Sequence, residues 1–144
     1  MHTRSSGRTV TELASTLTPR EIASQAAHAI EVLNDLTHGG GELSNAADVR
    51  AIVRSLELIG QGLPQLCEQL ARFLVIQHED GQLTNVDGLD SGDSVTEIIE
   101  ALSAAGQAAD MMTAALTEAR TASQTLTAAR HRGWEDRKGA GTHL

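Results

Sequence analysis

Apolar residues recur at alternating intervals of three and four positions between residues 46 and 78. This spacing is the a/d rhythm of a helix that presents a narrow apolar stripe to other helices. The stripe consists of Val49, Ile52, Leu56, Ile59, Leu63, Leu66, Leu70 and Phe73. Gly60, Gly62 and Pro64 interrupt its middle, and a proline inside a helix removes a hydrogen bond and clashes with the preceding turn. We therefore predict a long helix over 46–78 that is kinked or broken at Pro64.

A shorter helix is predicted over residues 19–37. Thr18 as N-cap, Pro19 at the first helical position and Glu21 at the third satisfy three preferences of a helix start. The apolar stripe that follows consists of Ile22, Ala26, Ile30, Leu33 and Leu36. The three glycines at 39–41 favour a left-handed end to this helix. A short helical turn is predicted before it, starting at Thr9.

A third helix is predicted over residues 94–131, with Ser94 and Glu97 as its capping box. Its stripe has the same alternation of three and four, but many of its members are small. They are Val95, Ile98, Leu102, Ala105, Ala109, Met112, Leu116, Ala119, Ser123 and Leu126. The connection over 79–93 is rich in Gly, Asp and Asn and is longer than helix hairpins usually need.

These patterns predict an all-α fold, an antiparallel bundle of the three helices within a single domain over 9–131. Bulky residues of the second helix can fill the space beside small residues of the third. The first helix is only about half as long as the other two, so it can cover only part of the remaining apolar strip. A contiguous exposed strip of this kind is most simply covered by a second copy, so a homodimer is expected. The alternative is that the first helix folds back with the N-terminal turn and covers the strip within one chain.

Composition sets the class of protein and its expected compartment. The chain has 144 residues, one cysteine (Cys67) and only two aromatic residues, Phe73 and Trp134. One cysteine excludes an internal disulfide framework and fits a reducing cytoplasm. No run of apolar residues is long enough for a membrane span, and the N-terminus lacks the apolar core of a signal peptide. We therefore expect a cytoplasmic protein, with a flexible arm over 1–8 and a flexible tail over 132–144.

The formal charge of −8 is unevenly distributed. Basic residues concentrate near the ends, whereas the stretch between them is acidic. A nucleic-acid groove along the body is therefore not expected, because phosphate binding requires clustered Lys and Arg. The candidate nucleic-acid contacts are Arg4, Arg8, Arg130, Arg132, Arg137 and Lys138.

Candidate chemistry elsewhere is sparse. Asp87, Asp90 and Asp93 are three positions apart, but no register supplies the glycine and glutamate of a calcium loop, so a solvated loop is the simpler interpretation. The six histidines include no HxxxH or HExxH pair that would place two zinc ligands on one helical face. No nucleophile elbow, phosphate loop or dinucleotide motif is present. We expect no cofactor, no metal and no enzymatic activity.

The stretch Leu63-Pro64-Gln65-Leu66, continuing to Leu70 and Phe73-Leu74, is followed by an acidic connection and an alanine-rich helix. This LPQL…L..FL pattern, over roughly residues 63–130, resembles small helical proteins of unknown function in actinobacterial genomes, often near mobile genetic elements. The resemblance implies an accessory or regulatory protein and no catalytic residues.

Three functions follow as hypotheses. The first is a non-catalytic oligomerising or adaptor protein whose interface uses the stripe of the second helix together with Met112 and Leu116. The second is a nucleic-acid-linked regulator that uses the basic end segments. The third is a carrier of an apolar ligand, in a cleft that the kink opens between Gly60 and Pro64.

Overall fold

The computed structural model describes residues 16–127 of the chain. Helices account for most of this part: α1 (Pro19–Thr37), a short 3-10 helix (His38–Gly40), α2 (Ala46–Glu79) and α3 (Gly92–Ser123). The described residues contain no strand beyond an isolated bridge between Thr84 and Asp90. The predicted all-α class is therefore confirmed. The predicted arm (1–8) and tail (132–144) lie outside the described residues, as does most of the N-terminal turn.

Backbone contacts divide the chain into two units, with the boundary between Leu43 and Ser44. In the first unit, α1 begins with the predicted capping box: Glu21 N–H donates to Thr18 Oγ1 over 3.2 Å, and Thr18 N–H donates to Glu21 Oε2 over 2.9 Å. The helix ends where the glycines begin, and Gly39 has a φ of 64°. The predicted boundaries and the left-handed end are thus confirmed.

The second unit contains α2 and α3, which pack closely against each other. Helix α2 begins after Asn45, whose side chain accepts a hydrogen bond from Asp48 N–H. It continues without interruption past Pro64 to Glu79, one residue beyond the predicted end. A full break at Pro64 is therefore excluded.

The predicted limits of α3 are wrong at both ends. The helix starts at Gly92, and Ser94 lies inside it, so the capping box of Ser94 with Glu97 does not form. The first helical hydrogen bond instead runs from Val95 N–H to the carbonyl of Ser91. The last helical residue is Ser123 instead of His131, and residues 124–127 leave the helix. Arg50 of α2 stabilises this early end, because its Nη1 donates to the carbonyls of Ser123 and Leu126 over 2.9 and 3.0 Å.

The contact between α2 and α3 uses a different stripe of α2 from the predicted one. On α3 it keeps Val95, Leu102, Ala109, Leu116 and Ser123 of the predicted stripe. On α2 the stripe that contacts α3 consists of buried and half-buried residues, namely Ala46, Arg50, Val53, Glu57, Gly60, Pro64, Cys67, Ala71, Leu74 and His78. On α3 they include Val95, Ile99, Leu102, Gly106, Ala109, Thr113, Leu116, Arg120 and Ser123. Both stripes keep the alternation of three and four. The predicted packing of the leucine-rich stripe of α2 beside the small residues of α3 is therefore wrong for α2. Of those small residues, Ala109 and Ser123 lie in the contact, whereas Ala105 and Ala119 are exposed.

Small residues explain why the helices meet along this second stripe. A Cβ built on Gly60 would collide with Thr113 Oγ1, and one on Gly106 would lie 3.5 Å from Pro64 Cα. Both glycines therefore allow a close approach that larger side chains would prevent. Arg50, near the start of α2, contacts the last residue of α3, and Gly60 lies beside Thr113 of α3. His78, at the end of α2, contacts Ser91 just before α3.

Candidate protein-interaction surface

The leucine-rich stripe of α2 lies largely on the protein surface. Its exposed large side chains, together with Ile76 beyond its end, are Val49, Ile59, Leu66, Leu70, Phe73 and Ile76, which are between 43% and 59% exposed. We call these six residues the apolar face. Ile52, Leu56 and Leu63 lie between them and are half-buried. The apolar face runs along nearly the whole of α2, because its first and last members are Val49 and Ile76.

Two further residues predicted for an interface belong to α3. Met112 is 42% exposed, and its Cε lies 3.1 Å from the position that a Cβ on Gly60 would occupy. Met112 therefore reaches across to α2 beside the apolar face. Leu116 is half-buried and belongs to the stripe that contacts α2.

A different flank of α2 is polar. Arg54, Gln61, Gln65, Glu68 and Arg72 are all exposed there. Arg72 Nη2 donates to Glu68 Oε1 over 2.7 Å, but both side chains are about two-thirds exposed, so solvent screens this pair strongly. The second unit thus presents apolar and polar surfaces at different positions around α2.

A buried carboxylate lies in the contact between the helices. Glu57 is 3% exposed, and its carboxylate accepts hydrogen bonds from Arg120 Nε over 2.6 Å and from Thr117 Oγ1 over 2.8 Å. Arg54 Nη1 lies 3.5 Å from the same carboxylate. Within the described residues no buried side-chain polar atom lacks a hydrogen-bond partner. Burial of the Glu57 charge is therefore compensated by two donors and a second cation.

These contacts shift the ionisation of both partners. The hydrogen bonds from Arg120 and Thr117 lower the pKa of the Glu57 carboxyl from 4.5 to about 2, against the opposing effect of its burial. The hydrogen bond to Glu57 raises the pKa of Arg120 in turn. Both groups are therefore charged at neutral pH. The arrangement joins the middle of α2 to the last turns of α3, and it offers no exposed reactive group.

A cleft of about 360 Å³ lies between α2 and α3. Its apolar lining includes Pro64, Cys67, Leu102 and Gly106, and its polar lining includes Asp110. It extends along α2 from Pro64 toward Ala71 instead of between Gly60 and Pro64, where the sequence predicted it. Its volume is at the lower end of the ~300–1,000 Å³ range of ligand pockets.

The aspartates of the connection bind backbone groups of their own loop. Asp87 Oδ1 accepts a hydrogen bond from Leu89 N–H, and Asp90 Oδ1 accepts one from Gly92 N–H, each over 3.0 Å. Such contacts are typical of Asx turns. Among residues 16–127, no group of three or more His, Cys, Asp or Glu side chains is placed to hold a metal ion.

The connection is closed by a hydrogen-bonded pair at its ends. Ser91 is buried, its Oγ donates to the carbonyl of Leu83 over 3.0 Å, and it lies 2.9 Å from His78 Nδ1. Because the single hydroxyl proton of Ser91 goes to Leu83, the hydrogen between Ser91 and His78 must be on Nδ1. His78 therefore holds the start of α3, a role that the sequence did not indicate.

The candidate nucleic-acid contacts all lie outside the described residues, so their role stays a prediction. They are Arg4, Arg8, Arg130, Arg132, Arg137 and Lys138.

In the described part of the chain, no helix combines the length and the apolar character needed to cross a membrane. No protein-family model, curated protein or solved structure matches this chain.

Proposed function

We propose that this protein is a non-catalytic helical protein that acts through protein–protein contacts and self-associates through the apolar face. The observation that carries the proposal is that the leucine-rich stripe of α2 is largely exposed, although its three-four spacing is typical of helices that pack against one another. Monomeric proteins rarely expose contiguous apolar strips of this length without a partner. A cytoplasmic location and an accessory or regulatory role belong to the same proposal.

The energetics of burial support association. Full burial of one such side chain contributes about 1.5–3 kcal/mol, so burying the exposed half of six contributes roughly 5–9 kcal/mol per copy. Two copies together contribute about twice that amount. Loss of translational and rotational freedom on association costs about 4–15 kcal/mol. At the middle of both ranges the gain exceeds the cost, so burial of the apolar face favours association.

The arrangement of α2 and α3 within each copy is proposed to be an antiparallel hairpin. The order of the contacts supports it, since Arg50 near the start of α2 reaches the end of α3, whereas His78 near the end of α2 reaches Ser91 before α3. In such a hairpin, positions that precede the contact stripes by one residue lie on the same side in both helices. Met112 of α3 would therefore extend the apolar face.

Light scattering after gel filtration tests the proposal. The wild-type chain is expected to show at least twice the chain mass of 15.2 kDa at micromolar concentration. Leu70→Asp places a carboxylate on the apolar face and is expected to give a folded monomer, because Leu70 is 49% exposed and does not belong to the stripe that contacts α3. Gln61→Asp, on the polar flank of the same helix, is the control and should leave the mass unchanged. A wild-type chain that stays monomeric at this concentration contradicts the proposal.

A second candidate function is the binding of an apolar ligand in the cleft between α2 and α3. The cleft and its lining by Pro64, Cys67 and Leu102 favour it. Mass spectrometry of the protein under non-denaturing conditions tests this candidate by looking for a co-purified small molecule. Ser103→Leu adds bulk to the lining of the cleft at an exposed residue and should remove any such adduct.

A further inference from the structure

The chain leaves α3 on the side of α2 that carries the cleft. Beyond the end of α3, Arg50 Nη1 donates a hydrogen bond to the carbonyl of Leu126 over 3.0 Å and so holds the chain against α2. Arg50 and Glu68 are 18 positions apart, which is five turns of about 3.6 residues, so both lie on the same side of α2. Glu68 lines the cleft between α2 and α3. The chain beyond Leu126 therefore starts on the side of the cleft and not on the apolar face.

The distance from Leu126 to the cleft matches the position of the only tryptophan of the chain. Trp134 is eight positions beyond Leu126, and an extended chain of this length spans up to about 26–29 Å. On α2, Pro64 and Cys67 line the cleft and are 14 and 17 positions beyond Arg50. They therefore lie about 21 and about 26 Å along the helix from the point where Leu126 is held. The chain is long enough to bring Trp134 to the cleft.

An indole fits the size and the lining of the cleft. The cleft has a volume of about 360 Å³, and Pro64, Leu102 and Gly106 form part of its apolar lining. This volume is low for a ligand pocket but sufficient for one large side chain. A buried tryptophan also needs an acceptor for its N–H. Ser103 and Gln107 line the same cleft, and each carries a side-chain oxygen that can accept this hydrogen bond.

One carboxylate of the cleft lacks a cation. Asp110 lines the cleft and is 13 positions before Ser123, which is about 20 Å along α3. The ion pairs within residues 16–127 leave Asp110 without a cationic partner. Arg132 is six positions beyond Leu126, so an extended chain carries it about 20 Å. Arg132 and Asp110 are therefore opposite charges at similar distances from the end of α3.

The far end of the cleft presents a cation. Arg72 follows Ala71, the last lining residue of α2, and its exposed pair with Glu68 is strongly screened by solvent. In the sequence, Glu135 and Asp136 directly follow the tryptophan. The order of groups along this segment is therefore positive, apolar and negative, and along the cleft it is negative, apolar and positive. This complementarity favours the segment over a small apolar molecule as the occupant of the cleft.

We infer that residues 128–136 run along the polar flank of α2 in their own chain and place the Trp134 side chain in the cleft. Arg132 then pairs with Asp110, and the two acidic residues after Trp134 lie near Arg72. The contact does not depend on the proposed self-association, because it uses the cleft and not the apolar face. Any small apolar ligand of the cleft competes with the indole, since both occupy the same space.

Fluorescence of the full-length chain tests the inference, because Trp134 is its only tryptophan and it has no tyrosine. The emission maximum of the folded chain is expected at a shorter wavelength than that of the chain unfolded in urea, because the cleft removes the indole from water. Asp110→Arg repels Arg132 and is expected to move the maximum to longer wavelength. Adding Arg132→Asp to this variant should restore the shorter wavelength. Glu118→Arg is the matched control, because Glu118 is an exposed carboxylate of α3 outside the cleft.

Cross-linking to Cys67 tests the position of Trp134 directly, because Cys67 is the only cysteine and lines the cleft. In the full-length chain, Trp134→Cys is expected to form a disulfide with Cys67 of the same chain under mild oxidation, since a disulfide needs Cα atoms within ~7 Å. Thr142→Cys is the control for random collision of the C-terminal segment and should link less. Ser103→Leu narrows the cleft and is expected to reduce the linkage of Trp134→Cys. In the chain that keeps Trp134, it should move the emission to longer wavelength.

Three outcomes would overturn the inference. The first is an emission maximum equal to that of the unfolded chain. The second is a short-wavelength emission that neither Asp110→Arg nor Ser103→Leu changes in variants shown to be folded by circular dichroism, since Trp134 would then pack elsewhere. The third is linkage of Trp134→Cys no greater than that of Thr142→Cys, or linkage only to Cys67 of a second chain. A monomeric wild-type chain in light scattering removes the proposed self-association and leaves this inference intact.

Discussion

Arg120 Nε donates to Glu57 Oε2 over 2.6 Å and so joins the middle of α2 to the last turns of α3. The carboxylate is almost fully buried, and Thr117 supplies a second donor. A buried ion pair of this kind restricts how two helices can be paired, because any other register leaves a charge without a partner. The pair of Glu57 and Arg120 therefore favours the pairing of α2 with α3 in which the leucine-rich stripe of α2 lies on the surface.

Loss of the Glu57 charge should destabilise the second unit. Glu57→Gln keeps the shape of the side chain but leaves Arg120 without its anionic partner, so the melting temperature is expected to fall by several degrees. Glu68→Gln is the matched control, because Glu68 forms an exposed pair with Arg72 and its loss should change little. Thermal unfolding followed by circular dichroism measures both. Equal effects of the two substitutions would contradict the assigned role of Glu57.

The same carboxylate predicts a dependence of stability on acid. The pKa of Glu57 is about 2 in the folded chain and 4.5 as its ordinary value. A lowered folded-state pKa contributes stability that is fully present above the ordinary pKa and is lost as the pH falls from about 4.5 to about 2. Denaturant unfolding at a series of pH values should show this fall, and it should be smaller in Glu57→Gln. A parallel decline in both proteins would show that other carboxylates cause it.

The sequence predicts where the helices lie along the chain better than it predicts which side of each helix packs against its neighbour. Thr18, Pro19 and Glu21 determine where α1 begins, because each meets a local requirement of a helix start. The stripe of α2 that contacts α3 could not be found by counting apolar residues, since Glu57, Gly60 and Pro64 interrupt the leucine-rich pattern. Charged residues are rarely buried, so Glu57 was not a candidate for the core.

A usable signal for that stripe was nevertheless present. Small residues at intervals of three, four or seven indicate close helix contact, and they occur at Gly60, Cys67 and Ala71 on α2 and at Gly106, Ala109 and Thr113 on α3. The start of α3 illustrates a different difficulty. Ser94 and Glu97 match the sequence pattern of a capping box, but the helix begins earlier, after Ser91. The side chain of Ser91 forms hydrogen bonds with Leu83 and His78, and the folded loop is what brings these residues together.

The two central glycines of α2 should respond in opposite ways to alanine. Gly60→Ala places a methyl group against Thr113 and Met112 and is expected to destabilise the fold by about 1–3 kcal/mol through overpacking. Gly62→Ala meets no atom of the same chain and should stabilise the isolated chain by about 0.5–1 kcal/mol. Urea unfolding at a protein concentration below that of association compares them. Destabilisation by both substitutions would show that the helix needs glycine at each position for its backbone.

Ser91 should be more important for stability than Ser94. Ser91→Ala leaves the carbonyl of Leu83 and the Nδ1–H of His78 without their buried partner, which is expected to cost about 1–3 kcal/mol. Ser94→Ala lies inside α3, where no capping box forms, and should cost less than about 0.5 kcal/mol. Chemical denaturation of the two variants distinguishes these expectations. A larger loss for Ser94→Ala would place the start of the helix where the sequence pattern predicted it.

The effect of salt should separate self-association from nucleic-acid binding. Each chain carries a formal charge of −8, so two copies repel each other over long range while their apolar faces attract at contact. Raising the ionic strength from about 50 mM to about 300 mM shortens the screening length and should strengthen dimerisation several-fold. Binding of DNA or RNA through the basic end segments would instead weaken steeply over this range, because it releases counterions. Sedimentation velocity of the chain alone and a mobility shift with duplex DNA, at matched salt concentrations, measure the two. Dimerisation that weakens as salt rises would mean that charged contacts hold the copies together, and the apolar face would then not be the interface.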